Sequence, residues 1–547
     1  MHTNRRDALK MLAATPLLSF AATAPELILY NGLIYTVQPA RPHASAVAIR
    51  GGRIVAVGDD LEILALAGRN TQRTDLERRR MLPGFIDAHA HPWLSGVEQL
   101  KKVACDKSSI DEILALLRAR AAQTPPGQWV LGFLYDDGKT PRPLTRADLD
   151  AAVPDHPVIV THRGGHTGYA NSLALQQGGV TAATPNPPGG RFEHGADGEL
   201  NGRVADSAMS VILGKIPDDL TRDDHRRGIA LASRLYSSYG VTSACEADTS
   251  PAGLQGYQDA HESGELKYRA YCHMDVDYLD RYIAAGLHSG FGDDMVRLGG
   301  IKQYADGSIS ERTAWLAESY IGIPDYYGVE SGKRESLYAN SRKAWLAGFQ
   351  LATHANGERA IERMLGIYEQ LQRESPRRDP RFRLEHCTVV TPELVARMRT
   401  VGAIPIPFSG YVNFHGDVMH FYGDERLQRM FAYRSLIDAG LRPPTSSDYT
   451  ASPPSPMLWL YSMTTRRDPT GHEWGANQRI TLPEALRAAT LDGAYASFEE
   501  HSKGTIEPDK AADLVVLQLD PLTEPPERWL DIKVQRTMLG GRWVYES

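Results

Sequence analysis

The chain has 547 residues, 42% of them hydrophobic and 23% charged, which is ordinary globular composition with length for a large core. A net charge of −7 without a long basic run argues against a nucleic-acid partner, and four widely spaced cysteines with no Cys-x-x-Cys pair indicate neither a zinc knuckle nor a disulfide scaffold. Length alone suggests about three or four domains, but a barrel absorbs about 250 residues or more as one unit.

The first elements in chain order read as a targeting segment. Asn4-Arg5-Arg6-Asp7 resembles a twin-arginine signal, and the short apolar stretch from Met11 ends in Ala21-Ala22-Thr23-Ala24, which suits a small-residue cleavage site. Residues 1–24 are therefore expected to be a signal peptide handled by the twin-arginine export machinery, leaving a periplasmic or secreted protein. No later segment has a run of about 18 apolar residues, so stable membrane insertion is not expected.

Residues 25–80 read as short strands, with Asn31-Gly32 as a hairpin turn signal after Leu27-Ile28-Leu29-Tyr30. Residues 500–547 have the same texture: a strand at Asp513 to Leu517 and a hairpin through Gly540-Gly541. The two ends are expected to pair into one small β-sandwich. The middle, 81–499, alternates apolar strand-like runs (Pro157 to Thr161, Val296 to Lys302, Arg381 to His386) with helical stretches (Asp111 to Arg120, Leu394 to Met398, Leu482 to Ala489), the pattern of a parallel α/β fold. The Gly/Pro-rich Thr184 to Gly198 reads as a long loop.

Chemistry concentrates at the ends of apolar segments. Met81-Leu82-Pro83-Gly84-Phe85-Ile86-Asp87-Ala88-His89-Ala90-His91 ends in two histidines that, on a strand, project from one face and can share a metal ion. Lys302 shares a strand face with Tyr304 and Asp306. A deprotonated lysine there can take up carbon dioxide as a carbamate, an anion that bridges two divalent ions sharing a hydroxide nucleophile. His354 and His386 close further apolar strands, and Asp448 follows Thr445-Ser446-Ser447. Each alone is ordinarily a packed, capped or surface residue. In succession they read as metal ligands, with Asp448 also moving a proton.

The order Leu82 to His91, Lys302 with Asp306-Gly307-Ser308, Thr353-His354-Ala355-Asn356-Gly357, Arg383-Leu384-Glu385-His386-Cys387, Ser447-Asp448 and Gly504 to Leu517 resembles the amidohydrolase superfamily, most closely amidohydrolase family 3, the branch with N-substituted formamide deformylases. The resemblance implies a distorted TIM (β/α)8 barrel with its site at the carboxyl ends of the strands, the end-to-end sandwich, and an insertion after the first barrel strand at about 95–250. Carried over by position, His89, His91 and Asp448 would hold one metal, His354 and His386 the second, and carbamylated Lys302 would bridge them. His166, in Gly164-Gly165-His166-Thr167, matches an insertion histidine that would hydrogen-bond the substrate carbonyl; His162 and His194 are weaker candidates of that kind. The sequence departs from the family at Ala403 to Phe408, where a Gln-Pro is usual, and at Glu358, where an Asp is usual.

The expected function is hydrolysis of an amide-type C–N bond in a small molecule, with one or two divalent ions, zinc being the expected metal. A mononuclear hydrolase, or one acting on an ester, lactone or cyclic amide, is the alternative; a non-catalytic periplasmic binding protein changes class altogether. Trp93, Tyr304, Trp315, Tyr411, Phe414 and His415 are candidate pocket residues. The sequence leaves the substrate and a homodimer open.

Overall fold

The computed structural model describes residues 24–547 except 166, 188, 189 and 218, so the expected signal segment up to Thr23 and the candidate His166 lie outside the described residues. Seven parallel strands form the central sheet: β1 (Phe85–Ala90), β2 (Val241–Thr249), β3 (Arg269–Asp275), β4 (Val296–Tyr304), β5 (Gln350–Ala355), β6 (Phe382–His386) and β7 (Ala403–Ile406), in that spatial order. Every residue of β1 and β6 is buried, as expected of strands covered on both faces. No regular eighth strand joins this sheet among the described residues. Residues 445–448 take its place: Ala88 and Asp448 exchange backbone bonds with Thr445 and His89 on the β1 edge (2.9 and 2.8 Å), and Ser409 N–H donates to Ser446 O just beyond β7 (3.1 Å). Pro405 sits within β7, an edge strand, where a missing N–H is tolerated.

Helices follow the strands, and the one after β1 fixes the site. The sequence pattern extends that strand through His91, but β1 stops at Ala90 and His91 is the N-cap of α1 (Pro92–Lys101). Pro92 explains the difference: it has no N–H to offer a ladder and is preorganised for the first helical position. Helix α1 packs on α2 (Arg222–Ser238) closely enough that a Cβ on Gly96 would lie 2.0 Å from Gly228 O.

Between these helices lies a separate six-stranded mixed sheet, from Val103–Ala104 to Leu200–Asp206, with apolar clusters of its own. The expected strand near 157–161 is Val158–His162, part of this sheet and not of the barrel. The Gly/Pro-rich stretch contains an edge strand, Gly190–His194. The barrel resumes at α2 and β2, so the last part of the 95–250 segment belongs to the barrel.

The chain ends form a four-stranded and a six-stranded sheet that share one apolar cluster, including Leu29, Val47, Ile54, Met81, Leu514 and Met538. The C-terminal hairpin turns at Gly540-Gly541, both at positive φ, as a two-residue turn demands. Asn31-Gly32 does not close a hairpin. Leu27–Tyr30 and Leu33–Tyr35 lie in different sheets, and Asn31 (φ 55°) is held at the corner by Asp60 Oδ1 and Asp75 Oδ1. All four cysteines are buried and free. No helix among the described residues is long and apolar enough to cross a membrane.

Candidate metal centre

The carboxyl ends of the barrel strands and the insertion enclose a cavity of about 240 Å³. His91, Lys302, His354, His386 and Asp448 all line it. Ligand atoms of His89, His386 and Asp448 lie within 4.8 Å of one another. Asp448 Oδ1 is 3.4 Å from His89 Nε2 and 3.3 Å from His91 Nε2, so the histidine pair serves one point although His91 has left the strand. The His386 ring stands edge-on between those of His89 and His354, at 4.6 and 4.5 Å between centroids. His354 is turned more to the loop: its Nε2 is 3.0 Å from Gly307 O and 3.1 Å from Asn356 Nδ2. Lys302 is almost fully buried, with Nζ 4.5 Å from the centre of the Tyr304 ring.

Two of these residues are held at positive φ, His386 at 69° and Asp448 at 52°. Such conformations cost non-glycine residues about 1–3 kcal/mol each and persist where neighbours over-determine them. For Asp448 the restraint is visible next door. Ser447 donates to Asp87 through both its N–H (2.9 Å) and its hydroxyl (2.5 Å). Burial pushes Asp87 up to about 6 despite these donors. Asp306, quoted in the sequence pattern, is also a fixing residue: it accepts N–H bonds from Trp315, Asn356 and Gly357 at 2.8–2.9 Å, and burial raises it to about 7.

Arg383 and Glu385, both fully buried, were not assigned roles from the sequence. Arg383 Nε donates to Glu385 Oε1 (2.6 Å) and its Nη2 to Ala88 O (2.6 Å), while Glu385 Oε2 takes His89 Nδ1. Burial opposes ionisation of Glu385, but the Arg383 guanidinium and the hydrogen bond from His89 hold its carboxyl well below the usual range. An acceptor on Nδ1 fixes the His89 tautomer that presents Nε2 as a lone pair. The signal available was a pair of charges two apart in an otherwise apolar strand. Burial, reinforced by His354, keeps His386 well below the usual histidine range and so neutral. Burial also opposes ionisation of Asp448, but His89 and His91 hold it well below the carboxylate range.

Of the proposed ligands, two have a buried imidazole nitrogen, His89 Nε2 and His386 Nδ1, with no hydrogen-bond partner among the described residues. Buried polar atoms are rarely left so. Beside an ionised carboxylate they form a donor set that fits a divalent ion.

Leu94, Phe133, Leu134, Tyr304, Phe408 and Tyr411 form the apolar part of the wall, and Glu98, Arg163, Ser308, Ser310 and Asn356 are among its polar residues. Of the expected aromatics, Tyr304 and Tyr411 face the cavity. Trp93 and Trp315 pack against the core, Phe414 lies under Lys139 and Arg163, and His415 Nε2 meets Ala451 O at 2.9 Å. His162 lines the rim, its Nε2 3.6 Å from Asp137 Oδ1 and its Nδ1 accepting from Gly164 N–H; His194 is exposed on the insertion's edge strand. Asp136, Asp137 and His162 form a second cluster, where Arg163 Nε already faces Asp136 at 3.2 Å.

Burial pushes His415 down to about 4, only partly offset by the Ala451 carbonyl. A histidine whose folded pKa lies below its unfolded value of about 6.5 contributes stability that is full above pH 6.5 and lost as pH falls toward 4, with a ceiling of about 3 kcal/mol. Urea melts between pH 7 and 4.5 are expected to show a shallower acid limb for His415→Gln than for the parent; parallel limbs would refute this assignment.

A parallel α/β barrel with imidazoles and a carboxylate converging at its strand ends places the protein among metal-dependent hydrolases. Its sequence matches the amidohydrolase family over residues 72–545, and the chain belongs to that family. It is 29% identical to the putative amidohydrolase YtcJ of Bacillus subtilis, over 95% of this chain and 99% of that protein. It is 27% identical to an N-substituted formamide deformylase of Arthrobacter pascens, over 95% and 98%. The fold matches that of an uncharacterized metal-dependent hydrolase from Pyrococcus horikoshii OT3 with a TM-score of 0.76 at 23% identity, over 92% of this chain and 99% of that one.

Proposed function

We propose that this protein is an exported, metal-dependent amidohydrolase that cleaves the C–N bond of an N-substituted formamide or an N-acyl amine, giving a carboxylic acid and an amine. The convergence of His89, His386 and Asp448 within 4.8 Å, with His386 and Asp448 lining the cavity, carries this reading. The likeness to a formamide deformylase along almost its whole length supports the bond type. A cavity of about 240 Å³ whose wall is in part aromatic and apolar suits a small substrate with an apolar nitrogen substituent.

His89, His91 and Asp448 would hold one ion, His354 and His386 the second, and carbamylated Lys302 would serve both. A divalent ion, zinc by the character of the donors, supplies polarisation of the scissile carbonyl and acidification of water. Asp448 accepts the proton of the attacking water and passes it to the leaving nitrogen. Glu385 keeps His89 in its ligating tautomer, and Phe408 and Tyr411 narrow the space open to bulk water. His166 is proposed as the donor to the substrate carbonyl. The twin-arginine pair Arg5-Arg6 and the apolar segment after it support export to the periplasm or beyond.

One observation favours a second reading. His354 Nε2 faces the Gly307 carbonyl, whereas His89, His386 and Asp448 suffice for a single ion. A mononuclear hydrolase would leave Lys302 unmodified. Metal content of chelator-free protein, by elemental mass spectrometry, is the deciding experiment: close to two ions per chain, with loading dependent on bicarbonate, is expected, and close to one would transfer the conclusion to the mononuclear form. A chain that takes up no divalent metal would overturn both.

A further inference from the structure

Glu246 is fully buried near the end of β2, opposite Ala90 of β1, and the mechanism above does not use it. Its two oxygens are in different positions. Oε2 accepts from Trp93 N–H (2.7 Å) in the first turn of α1 and from the Tyr257 hydroxyl (2.8 Å) on α3 (Pro251–Glu262). That oxygen alone ties β2 to both helices. Oε1 has no hydrogen-bond partner among the described residues, and it stands 3.8 Å from His91 Nδ1.

A histidine that ligates through Nε2 carries its remaining proton on Nδ1 and needs an acceptor there. His89 has Glu385. His91 presents Nε2 to Asp448 Oδ1 at 3.3 Å and Nδ1 to Glu246 Oε1. Glu246 is pinned on a strand by two donors, whereas the His91 side chain is 23% exposed at the strand-to-helix junction. The ring is therefore the partner free to move, and a shift of about 1 Å brings the pair to hydrogen-bond distance.

We propose that Glu246 is the positioning residue of His91: it accepts the Nδ1 proton, fixes the ring, and so directs Nε2 toward a divalent ion shared with Asp448. This rests on the metal reading above. It makes the two histidines a matched pair, each oriented by a buried carboxylate from a different strand, Glu385 on β6 and Glu246 on β2.

The test is zinc affinity of the metal-free chain, measured in competition with a chromophoric chelator, for the parent, E246Q, H91A and the double variant. E246Q is expected to weaken zinc by about 10–100-fold. In the H91A background the same substitution is expected to change affinity less than twofold, because Glu246 acts through His91. Zinc binding by E246Q within twofold of the parent, or effects of the two substitutions that multiply, would overturn the proposal while leaving the metal reading intact. A parent that binds no zinc takes down the metal reading itself. If E246Q fails to fold, the zinc-loaded parent labelled with ¹⁵N-histidine decides: a solvent-protected Nδ1–H resonance that H91A lacks supports the proposal, and rapid exchange of that proton overturns it.

Discussion

Asp448→Asn is expected to lower kcat on an amide substrate by about 10²–10⁴-fold, the range typical of losing a positioned general acid–base group, while the chain keeps its fold. The fold is expected to survive because asparagine tolerates the left-handed conformation at least as well as aspartate, and Asp448 is at φ 52°. Its N–H bond to His89 O and the anchoring of Ser447 on Asp87 involve no Asp448 side-chain atom. The side-chain change is severe by contrast. An amide neither takes the proton of water nor offers negative charge to a cation beside His89 and His91. Steady-state kinetics with metal content measured on the same sample separates these losses. Full turnover with metal bound would refute the proton role of Asp448. A loss recovered by excess metal would reduce it to a ligand.

The part of this site legible in the sequence is the part carried by local pattern. His89, Lys302, His354 and His386 each end a run that strand periodicity marks, and four of the six proposed ligands belong to regular strands. What alternation hides is which side chains share a space. On β6, alternation places Glu385 and His386 on opposite faces. The positive φ of His386 breaks that alternation, so the Glu385 carboxylate and the His386 ring both meet His89. His91 is the reverse case: Pro92 ends the strand one residue early, and the ring reaches Asp448 from a helix cap.

The barrel closure was hidden for a related reason. Pro443-Pro444-Thr445-Ser446-Ser447 has no apolar alternation because it is held by backbone bonds to β1, by Ser446 Oγ on Pro407 O and by Ser447 on Asp87. Asn31-Gly32 carries a turn signal in either setting. Only the burial of its two flanking strands in different sheets decides between hairpin and corner.

Arg383→Met is expected to destabilise the protein by about 3–5 kcal/mol, the cost of breaking a buried ion pair from one side. Arg383 and Glu385 are both fully buried, and Arg383 also donates to Ala88 O next to His89. Methionine fills comparable volume, so the loss comes from charge: the Glu385 carboxylate would remain in the interior with only His89 against it. Pairing the change with Glu385→Gln removes that uncompensated charge, and the double variant is expected to recover much of the stability in urea melts, since a buried pair replaced on both sides is often close to neutral. Metal affinity is expected to behave differently. The double variant no longer has a carboxylate on His89 Nδ1, so zinc binding should stay weakened by about 10–100-fold even where the melt recovers. Recovery of both together would mean that Glu385 is a packing residue whose contact with His89 does not govern the metal. Recovery of stability alone assigns the Arg383–Glu385 pair to orienting His89, at a cost in stability that the barrel core sustains.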